Sequence, residues 1–471
     1  MSSSNKTAPA AEIGWRISTD KKAADARLPA LSADEQAFLL DLSSTFREWT
    51  KHHDLPAPAA AVAEVERLLD SQASADGLDL EPDQRAYLSA AARSHLAGFA
   101  PLDNFLSDPA LEEIAIIGLN HPVYIYCRKE GWKRTNASIT SMEHLTHLIN
   151  KMARPLGRRV SAESPRINAL LPDGSRLHAS IPPLSAGELT VRRHAVRAWS
   201  AADLLASGSL NAQALAFLWL AFQSDSSVLV AGNTASGKTT LLDALLGFIP
   251  LSERMLVIEE TPELRPAHPH KVGLICNDEL CIGMADLVRD SLRMRPDRVV
   301  VGEVRTPAET QAYMETLLSG QARGSYATFH AQSASETLRR LVNLGASPDD
   351  LVSLDFLVIQ RRIAHYEMKS RQQKELRRLL GIYMLVPSEK AAGPSQLRLV
   401  PLPLMEYDMR SGKLIATPAL SQGLARLAHK LGLTPVQVQK LYAERTKFLS
   451  SLPASAEPQK IIEKIQSFAY R

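Results

Sequence analysis

The chain has few cysteines and no strong excess of either charge. Its 471 residues include only three cysteines, Cys127, Cys276 and Cys281. No two of them form a C-x-x-C pair, and the spacing of the last two matches no zinc signature. The formal net charge of +3 excludes the strong field of a dedicated nucleic-acid or membrane-surface binder. These shortages favour an intracellular protein in a reducing compartment.

Long apolar runs are also lacking. The N-terminal stretch MSSSNKTAPAAEIGW has no apolar region of the kind found in signal peptides. The charge-free run from 204 to 224 contains only nine consecutive apolar residues, ALAFLWLAF, which are too few to span a bilayer. We predict a buried core helix there and no insertion of the chain into a membrane.

Changes in composition divide the chain into four predicted regions. We expect a mobile tip followed by two to four helices, a small α+β domain, an α/β core, and a short β and helical region at the end. Residues 31–98 show helical spacing, with a Pro-Ala break at 56–61. The predicted boundaries are 1–98 (with the polar, mobile tip within about the first 30 residues), 99–200, 201–385 and 386–471.

The second region combines short strands with one helix. EEIAIIG, PVYIYCRKEGWKRT and ELTVRRH read as strands. A helix should follow Ser141 as its N-cap and end before Gly157. The run INALLPDGSRLHASI predicts a hairpin that turns at Asp173-Gly174.

After about 198, strand and helix patterns alternate until about 385. VLVAG, MLVIEE, RVVVGE and YATFH are strand-like, with helices predicted from Lys238, around 284–295 and at 307–319. Such alternation predicts a parallel sheet wound with helices. Two further strand-like runs, LLGIYMLV and LRLVPLPLMEYD, precede helices at the end of the chain.

A phosphate-binding loop follows the first of these strands. AGNTASGKTT matches G-x-x-x-x-G-K-[ST] between an apolar strand and a helix, which is the context that the motif requires. Backbone N–H groups and the helix N-terminus would face a phosphate, Lys238 would reach its oxygens, and the hydroxyl of Thr239 would ligate Mg²⁺. The nucleotide-binding residues predicted here are Gly232, Asn233, Thr234, Ala235, Ser236, Gly237, Lys238, Thr239 and Thr240.

Glutamates follow the next two strands of the predicted sheet. Glu259, Glu260 and Glu263 come at the end of MLVIEETPE, and Glu303 ends RVVVGE. Ligands of open parallel sheets gather at the strands' carboxyl ends, beside the phosphate loop. One carboxylate there can hold Mg²⁺ through water, and another can orient or deprotonate the attacking water. Together with the loop, these glutamates predict a nucleoside triphosphatase.

The four ordered motifs resemble those of the secretion ATPase superfamily, the motors of type II secretion, type IV pili, conjugation and archaeal surface filaments. In that family GNTASGKTT corresponds to the Walker A box, IEETPE to the Asp box, VVVGEVR to an atypical Walker B box and SGQARGSYATFHA to the His box. The upstream runs EEIAIIG, EGWKRTN and NALLPDGSRLHASIPP are similar to the family's N-terminal domain. The resemblance implies a RecA-like core after a small PAS-like domain.

The resemblance also assigns roles that the residues alone leave open. His330, alone, is compatible with a buried strand residue, a metal ligand or a proton shuttle; the resemblance implies that it senses the nucleotide. Arginines around the phosphates are carried over by position to Arg176, Arg192, Arg293 and Arg305, each of which could otherwise be a surface or salt-bridge arginine.

Three departures from the family's pattern stand out. Glu260 replaces a frequent Asp, so a longer side chain must reach the same water or metal. Gln321 stands where the His box usually begins Gly-His, which leaves any titrating role to His330. The four-cysteine zinc insertion of many bacterial motors is absent, and with the tail TPVQVQKLYAERTKFLSSL this favours the archaeal branch.

The implied function is a cytoplasmic homo-hexamer at the inner face of the cell membrane. It would hydrolyse ATP with Mg²⁺ and push a polytopic membrane platform protein that adds or removes pilin-like subunits. Glu303 would position the shell of the ion, and Glu259 would be the base for water, with Glu260 and Glu263 as alternatives. The helices of residues 31–98 would dock a partner or cover the small domain.

Two other classes of function compete with the motor. GLARLAHKLGLTPVQVQKLYAER has helix-turn-helix spacing with Gly432 at the turn, as in a DNA-driving or DNA-binding RecA-like ATPase. The near-neutral charge argues against nucleic acid as a partner, and the same segment suits a helical hairpin packed on the core. A non-hydrolysing, nucleotide-binding regulatory subunit is the second alternative, against which the intact acidic boxes argue.

Overall fold

The chain folds into two compact units, Met1–Val196 and Arg197–Arg471. A computed structural model describes residues 13–18, 20, 22–52, 58–127, 130–193, 198–277, 280–368, 371–388, 399–453 and 457–470. Each unit has its own sheet and its own buried apolar clusters. The four predicted domain boundaries stay predictions.

Unit 1 is built on a seven-stranded sheet with the order β1-β4-β3-β2-β7-β6-β5, in which every pairing is antiparallel. Its strands are β1 (Trp15–Ile17), β2 (Leu111–Ile116), β3 (Pro122–Cys127), β4 (Gly131–Ile139), β5 (Arg166–Leu170), β6 (Arg176–Ser180) and β7 (Glu188–Arg192). Its helices are α1 (Ala33–His52), α2 (Pro58–Ala75), α3 (Pro82–Ala92), α4 (Asp103–Ser107) and α5 (Met142–Ala153).

Local sequence signals account for much of unit 1. Helix α5 begins after Ser141, whose side chain accepts a hydrogen bond from the backbone N–H of His144, and Gly157 follows with φ of 66°. The predicted hairpin is confirmed as β5 and β6, with Gly174 at φ 83° in its turn. Three helices occupy the described part of residues 31–98; the predicted break at 56–61 lies partly outside the described residues, and α2 begins at Pro58.

Strand β1 was not predicted. Trp15 is 2% exposed, and its indole Nε1 donates to Nδ1 of His95 at 3.2 Å. Burial of this large side chain outweighs the small, polar character of its neighbours and ties residues 15–17 to the edge of the sheet. The predicted mobile tip therefore does not extend to this segment, and residues 1–12 lie outside the described part of the chain.

Unit 2 holds a nine-stranded mixed sheet with the order β10-β9-β11-β12-β8-β13-β14-β15-β16. The first six strands in this order are parallel, and the last three pair antiparallel. The strands are β8 (Val228–Gly232), β9 (Met255–Glu259), β10 (Lys271–Ile275), β11 (Arg298–Val304), β12 (Gly324–His330), β13 (Phe356–Glu367), β14 (Gln372–Pro387), β15 (Leu399–Asp408) and β16 (Lys413–Ala416).

Helices surround this sheet. They are α6 (Ala201–Ala206), α7 (Ala212–Gln223), α8 (Lys238–Leu246), α9 (Met284–Leu292), α10 (Pro307–Leu318), α11 (Ala334–Asn343), α12 (Leu420–Leu431), α13 (Pro435–Ser450) and α14 (Pro458–Ala469). The predicted parallel α/β arrangement is thus confirmed for the centre of the sheet, whereas β14 to β16 extend it with antiparallel strands.

The apolar run ALAFLWLAF lies within helix α7. Every residue from Ala214 to Phe222 is buried in the largest core cluster, as predicted for a core helix. Among the described residues, no helix is both long and apolar enough to cross a bilayer.

The segment with helix-turn-helix spacing forms α12 and α13, which meet at Gly432 with φ of 65°. Helix α13 is packed on the core: the guanidinium of its Arg445 is 4.6 Å from the centre of the Trp219 ring on α7. The residue is 4% exposed, so this helix has no free basic face at that position.

Candidate active site

The phosphate loop, Gly232–Thr239, connects β8 to α8 as the motif predicts. Gly237 caps the helix with φ of 87°, a conformation that suits glycine. A Cβ at Gly232 would lie 1.9 Å from the carbonyl oxygen of Gln360, so only glycine fits against β13 there. The side chain of Asn233 accepts from the backbone N–H of Arg362 at 2.9 Å and donates to its carbonyl at 3.2 Å. Strand β13 therefore supports the loop from one side.

Lys238 lies in the hollow of this loop and is 7% exposed. Its Nζ donates to the carbonyl oxygen of Asn233 at 3.3 Å and lies 3.5 Å from Nδ1 of His330. Burial lowers the pKa of Lys238, while the nearby carboxylates of Glu303 and Glu263 oppose that shift. A buried cation with little direct carboxylate contact is suited to receive phosphate oxygens.

His330 ends β12, the strand between β8 and β11, and the register places it opposite Gly232. Its Nε2 lies 2.5 Å from Oε1 of Glu303. Burial, and then the charge of Lys238, lower the pKa of His330 and so favour the neutral form of the ring. The ring therefore lies between the lysine and the glutamate, within contact distance of both side chains.

Glu303 and Glu260 share one arginine. Arg305 forms ion pairs with both, and its Nη1 lies 2.8 Å from Oε2 of Glu260. Oε2 of Glu303 accepts from Arg305, whereas Oε1 lies beside His330 and has no hydrogen-bond partner among the described residues. This arrangement joins the predicted Walker B, His and Asp boxes through side-chain contacts.

Glu259 lies at the end of β9 and is 6% exposed. Its Oε1 accepts from the backbone N–H groups of Glu263 at 2.9 Å and Leu264 at 3.0 Å. Burial nevertheless raises the pKa of Glu259 to about 7. A Cβ at Gly302 would lie 2.8 Å from Cγ of Glu259, so the glycine of the Gly-Glu pair makes room for this carboxyl group. A carboxyl that titrates near neutral pH is suited to accept a proton from water.

The remaining predicted arginines belong to other elements of the chain. Arg176 and Arg192 belong to unit 1, where they are directly opposite each other on β6 and β7, and Arg192 is also opposite Glu113. Arg293 follows α9 in unit 2, with its side chain 85% exposed and Nη1 3.9 Å from Asp290. It precedes β11 and so lies at the amino ends of the parallel strands, whereas the phosphate loop follows the carboxyl end of β8. All three roles stay predictions.

Gln321 also lies at the amino ends of the parallel strands, since it precedes β12. His330, in contrast, is the last residue of β12. The two ends of the His-box stretch are therefore separated by the length of a seven-residue strand, about 20 Å. Gln321, which replaces the usual histidine of the family's Gly-His pair, therefore lies away from the phosphate loop.

The site contains donors that fit a nucleotide-bound magnesium ion. Among the described residues, no three His, Cys, Asp or Glu side chains form a metal-binding group. Mg²⁺ in phosphate sites is commonly held by one or two protein oxygens together with the phosphates and water. Thr239, in the first turn of α8, offers such an oxygen, and the hydroxyl of Ser236 is buried without a partner in the described structure. The buried Oε1 of Glu303, which has no hydrogen-bond partner among the described residues, would be a further oxygen to hold the ion through water.

Sequence reasoning missed the support that β13 and β14 give to the loop. Gln360 on β13 donates from Nε2 to the carbonyl oxygen of Ser236 at 3.2 Å, and Arg377 on β14 donates from Nε to that of Ala235 at 3.0 Å. No sequence motif identifies these two residues, because their role depends on the order of the strands in the sheet.

Comparison with known proteins places these features in one family. The model of the family described as "Type II/IV secretion system protein" matches residues 96–429, well over half of the chain. The type IV secretion system protein PtlH of Bordetella pertussis is 34% identical over 261 residues, which cover 49% of this chain and 76% of PtlH.

Two archaeal relatives are matched only in part. The uncharacterized Methanocaldococcus jannaschii proteins MJ0781 and MJ0900 are 36% and 29% identical over 213 and 272 residues. These matches cover 42% and 56% of this chain, which spans 29% and 48% of the two proteins' lengths.

Solved structures of similar proteins include two ATPases. The VirB11 ATPase of the Brucella suis type IV secretion system is 26% identical, with a TM-score of 0.31, over 60% of this chain and 92% of VirB11. The pilus retraction motor PilT with bound ADP is 17% identical, with a TM-score of 0.42, over 74% of this chain and 95% of PilT. On the family match, the chain belongs to the type II/IV secretion system proteins of the secretion ATPase superfamily.

Proposed function

We propose that this chain is a Mg²⁺-dependent ATPase that powers a type IV pilus-like or type II/IV secretion machine. The observation that carries the proposal is the contact chain Lys238–His330–Glu303–Arg305–Glu260 at the phosphate loop. It joins a buried cation to strand-end carboxylates, which is the arrangement that phosphoryl transfer from a nucleotide to water requires.

The roles of the residues follow from their contacts. Lys238 and the backbone of the loop bind the phosphates, and Mg²⁺, when bound through Thr239, neutralises charge on the phosphate oxygens. Glu259 accepts a proton from the attacking water, with Glu260 and Glu263 as alternatives. Glu303 holds the water shell of the ion, and His330 transmits the position of Lys238 to Glu303.

Arg305 gives the site a means of responding to the nucleotide. It is shared between Glu303 and Glu260, so it can shift toward phosphate charge and release one carboxylate. Arg176 and Arg192 are directly opposite each other on neighbouring strands, and Arg192 is also opposite Glu113. We propose that they bind phosphate charge as well, and that Arg293 does so from its exposed position.

The assembly is proposed to be a cytoplasmic homo-hexamer at the inner face of the membrane, acting on a polytopic platform protein. The family match and the similarity to PtlH, a type IV secretion system protein, support a secretion machine. The two Methanocaldococcus relatives support placement in the archaeal branch, alongside bacterial ones. Light scattering tests the ring, since six copies of the 51.6 kDa chain are expected in one particle.

The test is ATP turnover with and without Mg²⁺ for the wild type, Glu303→Gln, His330→Ala and Arg176→Ala. We expect turnover only with Mg²⁺ and a fall of at least tenfold in each variant, with nucleotide binding retained in Arg176→Ala. Arg289→Ala is the control, because this exposed arginine of α9 pairs only with Asp286 among the described residues.

Three results would contradict parts of this proposal. A wild type that binds ATP without turnover, even in assembled rings, indicates a regulatory subunit. Salt-dependent DNA binding indicates a nucleic-acid motor. Unchanged turnover in His330→Ala makes His330 a structural strand residue.

A further inference from the structure

The phosphate loop is connected to a second segment of unit 2 through one buried side chain. Gln360 is 2% exposed, and its Nε2 donates to the carbonyl oxygen of Ser236 in the loop at 3.2 Å. The same nitrogen donates to the hydroxyl of Ser209 at 3.1 Å. Ser209 belongs to the α6–α7 turn (Ser207–Ser209), which lies between the first two helices of the unit. One amide group therefore bridges two segments that are far apart in sequence.

Strand β14 holds the same two segments. Arg377 donates to the carbonyl oxygen of Ala235 in the loop, while Arg378 donates from Nη1 to that of Ser207 at 3.2 Å in the turn. The backbone N–H of Leu379 donates to the carbonyl oxygen of Ser209 at 2.8 Å. Successive side chains of a strand point to opposite faces, so neighbouring arginines can reach different partners. Strands β13 and β14 therefore form hydrogen bonds to both the phosphate loop and the α6–α7 turn.

The bridge is incompletely satisfied in this structure. Oε1 of Gln360 and the hydroxyl of Ser236 are both buried and have no hydrogen-bond partner among the described residues. A Cβ on Gly232 would clash with the backbone carbonyl oxygen of Gln360 and with Oγ of Ser236, so glycine lets the loop lie close against β13 here. Buried polar groups without partners are unfavourable, so a small movement that satisfies them is favoured.

We propose that Gln360 is a positioning residue that couples the conformation of the phosphate loop to the α6–α7 turn. When phosphate draws the loop's backbone toward itself, Ser236 moves and Gln360 carries the change to Ser209. The α6–α7 turn lies shortly after residue 197, where unit 2 begins. The inference deepens the proposed function and rests on it.

A double-mutant cycle on nucleotide affinity tests the coupling. Binding of the fluorescent nucleotide mant-ATP with Mg²⁺ is measured for the wild type, Gln360→Met, Ser209→Ala and the double variant. Gln360→Met keeps the length of the side chain and removes both hydrogen bonds. We expect about tenfold weaker binding for Gln360→Met and about threefold for Ser209→Ala. In the Gln360→Met background, Ser209→Ala is expected to have no further effect.

Ser291→Ala is the matched control, because Ser291 is also buried and its hydroxyl donates only to the carbonyl of Val288 within its own helix. It should leave affinity unchanged. Circular dichroism and melting temperature confirm folding of each variant. Should Gln360→Met fail to fold, Gln360→Glu replaces it in the cycle, since it keeps the shape and removes the donor.

The outcomes separate this inference from the proposed function. Effects of Ser209→Ala and Gln360→Met that simply multiply, or a Ser209→Ala variant that behaves as Ser291→Ala does, overturn the coupling alone. A folded wild type that binds no mant-ATP overturns the proposed function and, with it, the inference.

Discussion

Glu259 shows how burial sets the chemistry of a single carboxyl group. Two backbone N–H groups bind its Oε1 and favour the charged form, yet removal from water outweighs them and raises its pKa to about 7. The negative charges of Glu263 and Asp243 also raise the pKa of Glu259. Near neutral pH this group can therefore both take up and release a proton.

The raised pKa has a consequence for stability. A carboxyl whose pKa is higher in the folded state than in the unfolded state stabilises the fold at low pH, and this contribution is lost as the pH rises through about 7. Glu259→Gln never ionises. We expect the variant to gain stability over the wild type between pH 5 and pH 8, by up to about 3 kcal/mol.

Urea unfolding of both proteins at pH 5 and pH 8 checks this expectation. Turnover of the wild type should rise with pH through about 7 if Glu259 is the base, and Glu259→Gln should be inactive. A stability difference that is the same at both pH values would show that the carboxyl is not held in its neutral form.

Residues of the site divide into those that sequence could predict and those that it could not. Lys238, Glu259, Glu303 and His330 were identifiable because a loop motif and strand ends mark them. Gln360 was not, since it lies within an ordinary-looking run and gains its role only when β13 pairs beside β8. Contacts across parallel strands depend on strand order, which local sequence does not contain.

At the scale of elements, the central strands β8, β9, β11 and β12 and the start of α8 were predicted from apolar runs and turn residues. Strands β10 and β13 were not. The residues of β10 alternate between exposed and half-buried positions at an edge of the sheet, and only the first five residues of β13 are buried. Strand β10 thus lacks the continuous apolar pattern that identifies buried parallel strands, and in β13 the apolar run FLVI is short and followed by polar residues.

A buried ion pair lies at the amino ends of the parallel strands, opposite to the carboxyl ends where the phosphate loop begins. Arg298, the first residue of β11, is completely buried, and its Nε lies 2.5 Å from Oε2 of Glu253. It also donates to the carbonyl oxygen of Ser224 at 2.7 Å and to the hydroxyl of Tyr326 at 3.0 Å. These contacts connect β11 and β12 with the segments that precede β8 and β9.

Arg298→Leu is expected to lower the free energy of unfolding by about 3–5 kcal/mol, because it leaves buried acceptors without their partner. Arg323→Leu should cost about 1 kcal/mol or less, since this half-exposed arginine shares the same carboxylate, with Nη1 2.8 Å from Oε1 of Glu253. Urea unfolding at pH 7 compares the two variants. Equal losses would show that burial of Arg298 does not determine its contribution.

For the whole molecule, the separate cores of the two units predict separate unfolding. The core of unit 1 includes Trp15, whereas those of unit 2 form around the nine-stranded sheet. Trp15→Ala should destabilise unit 1 by about 3–5 kcal/mol and lower its melting transition by about 10 °C. The transition of unit 2 should not move.

Differential scanning calorimetry measures both transitions. Trp132→Ala is the control, since Trp132 lies in the same unit but is 51% exposed. A common shift of both transitions, or an equal effect of the two substitutions, would contradict independent unfolding of the units.

The position of β12 between β11 and β8 also limits how this chain can change in length. Its register with both neighbours fixes His330 opposite Gly232, and six of its seven residues are buried. An insertion or deletion of one residue inside β12 would turn the histidine to the other face of the sheet. The same change between β14 and β15 leaves this register intact. Library designs that vary length should therefore leave β12 untouched and place their insertions between β14 and β15.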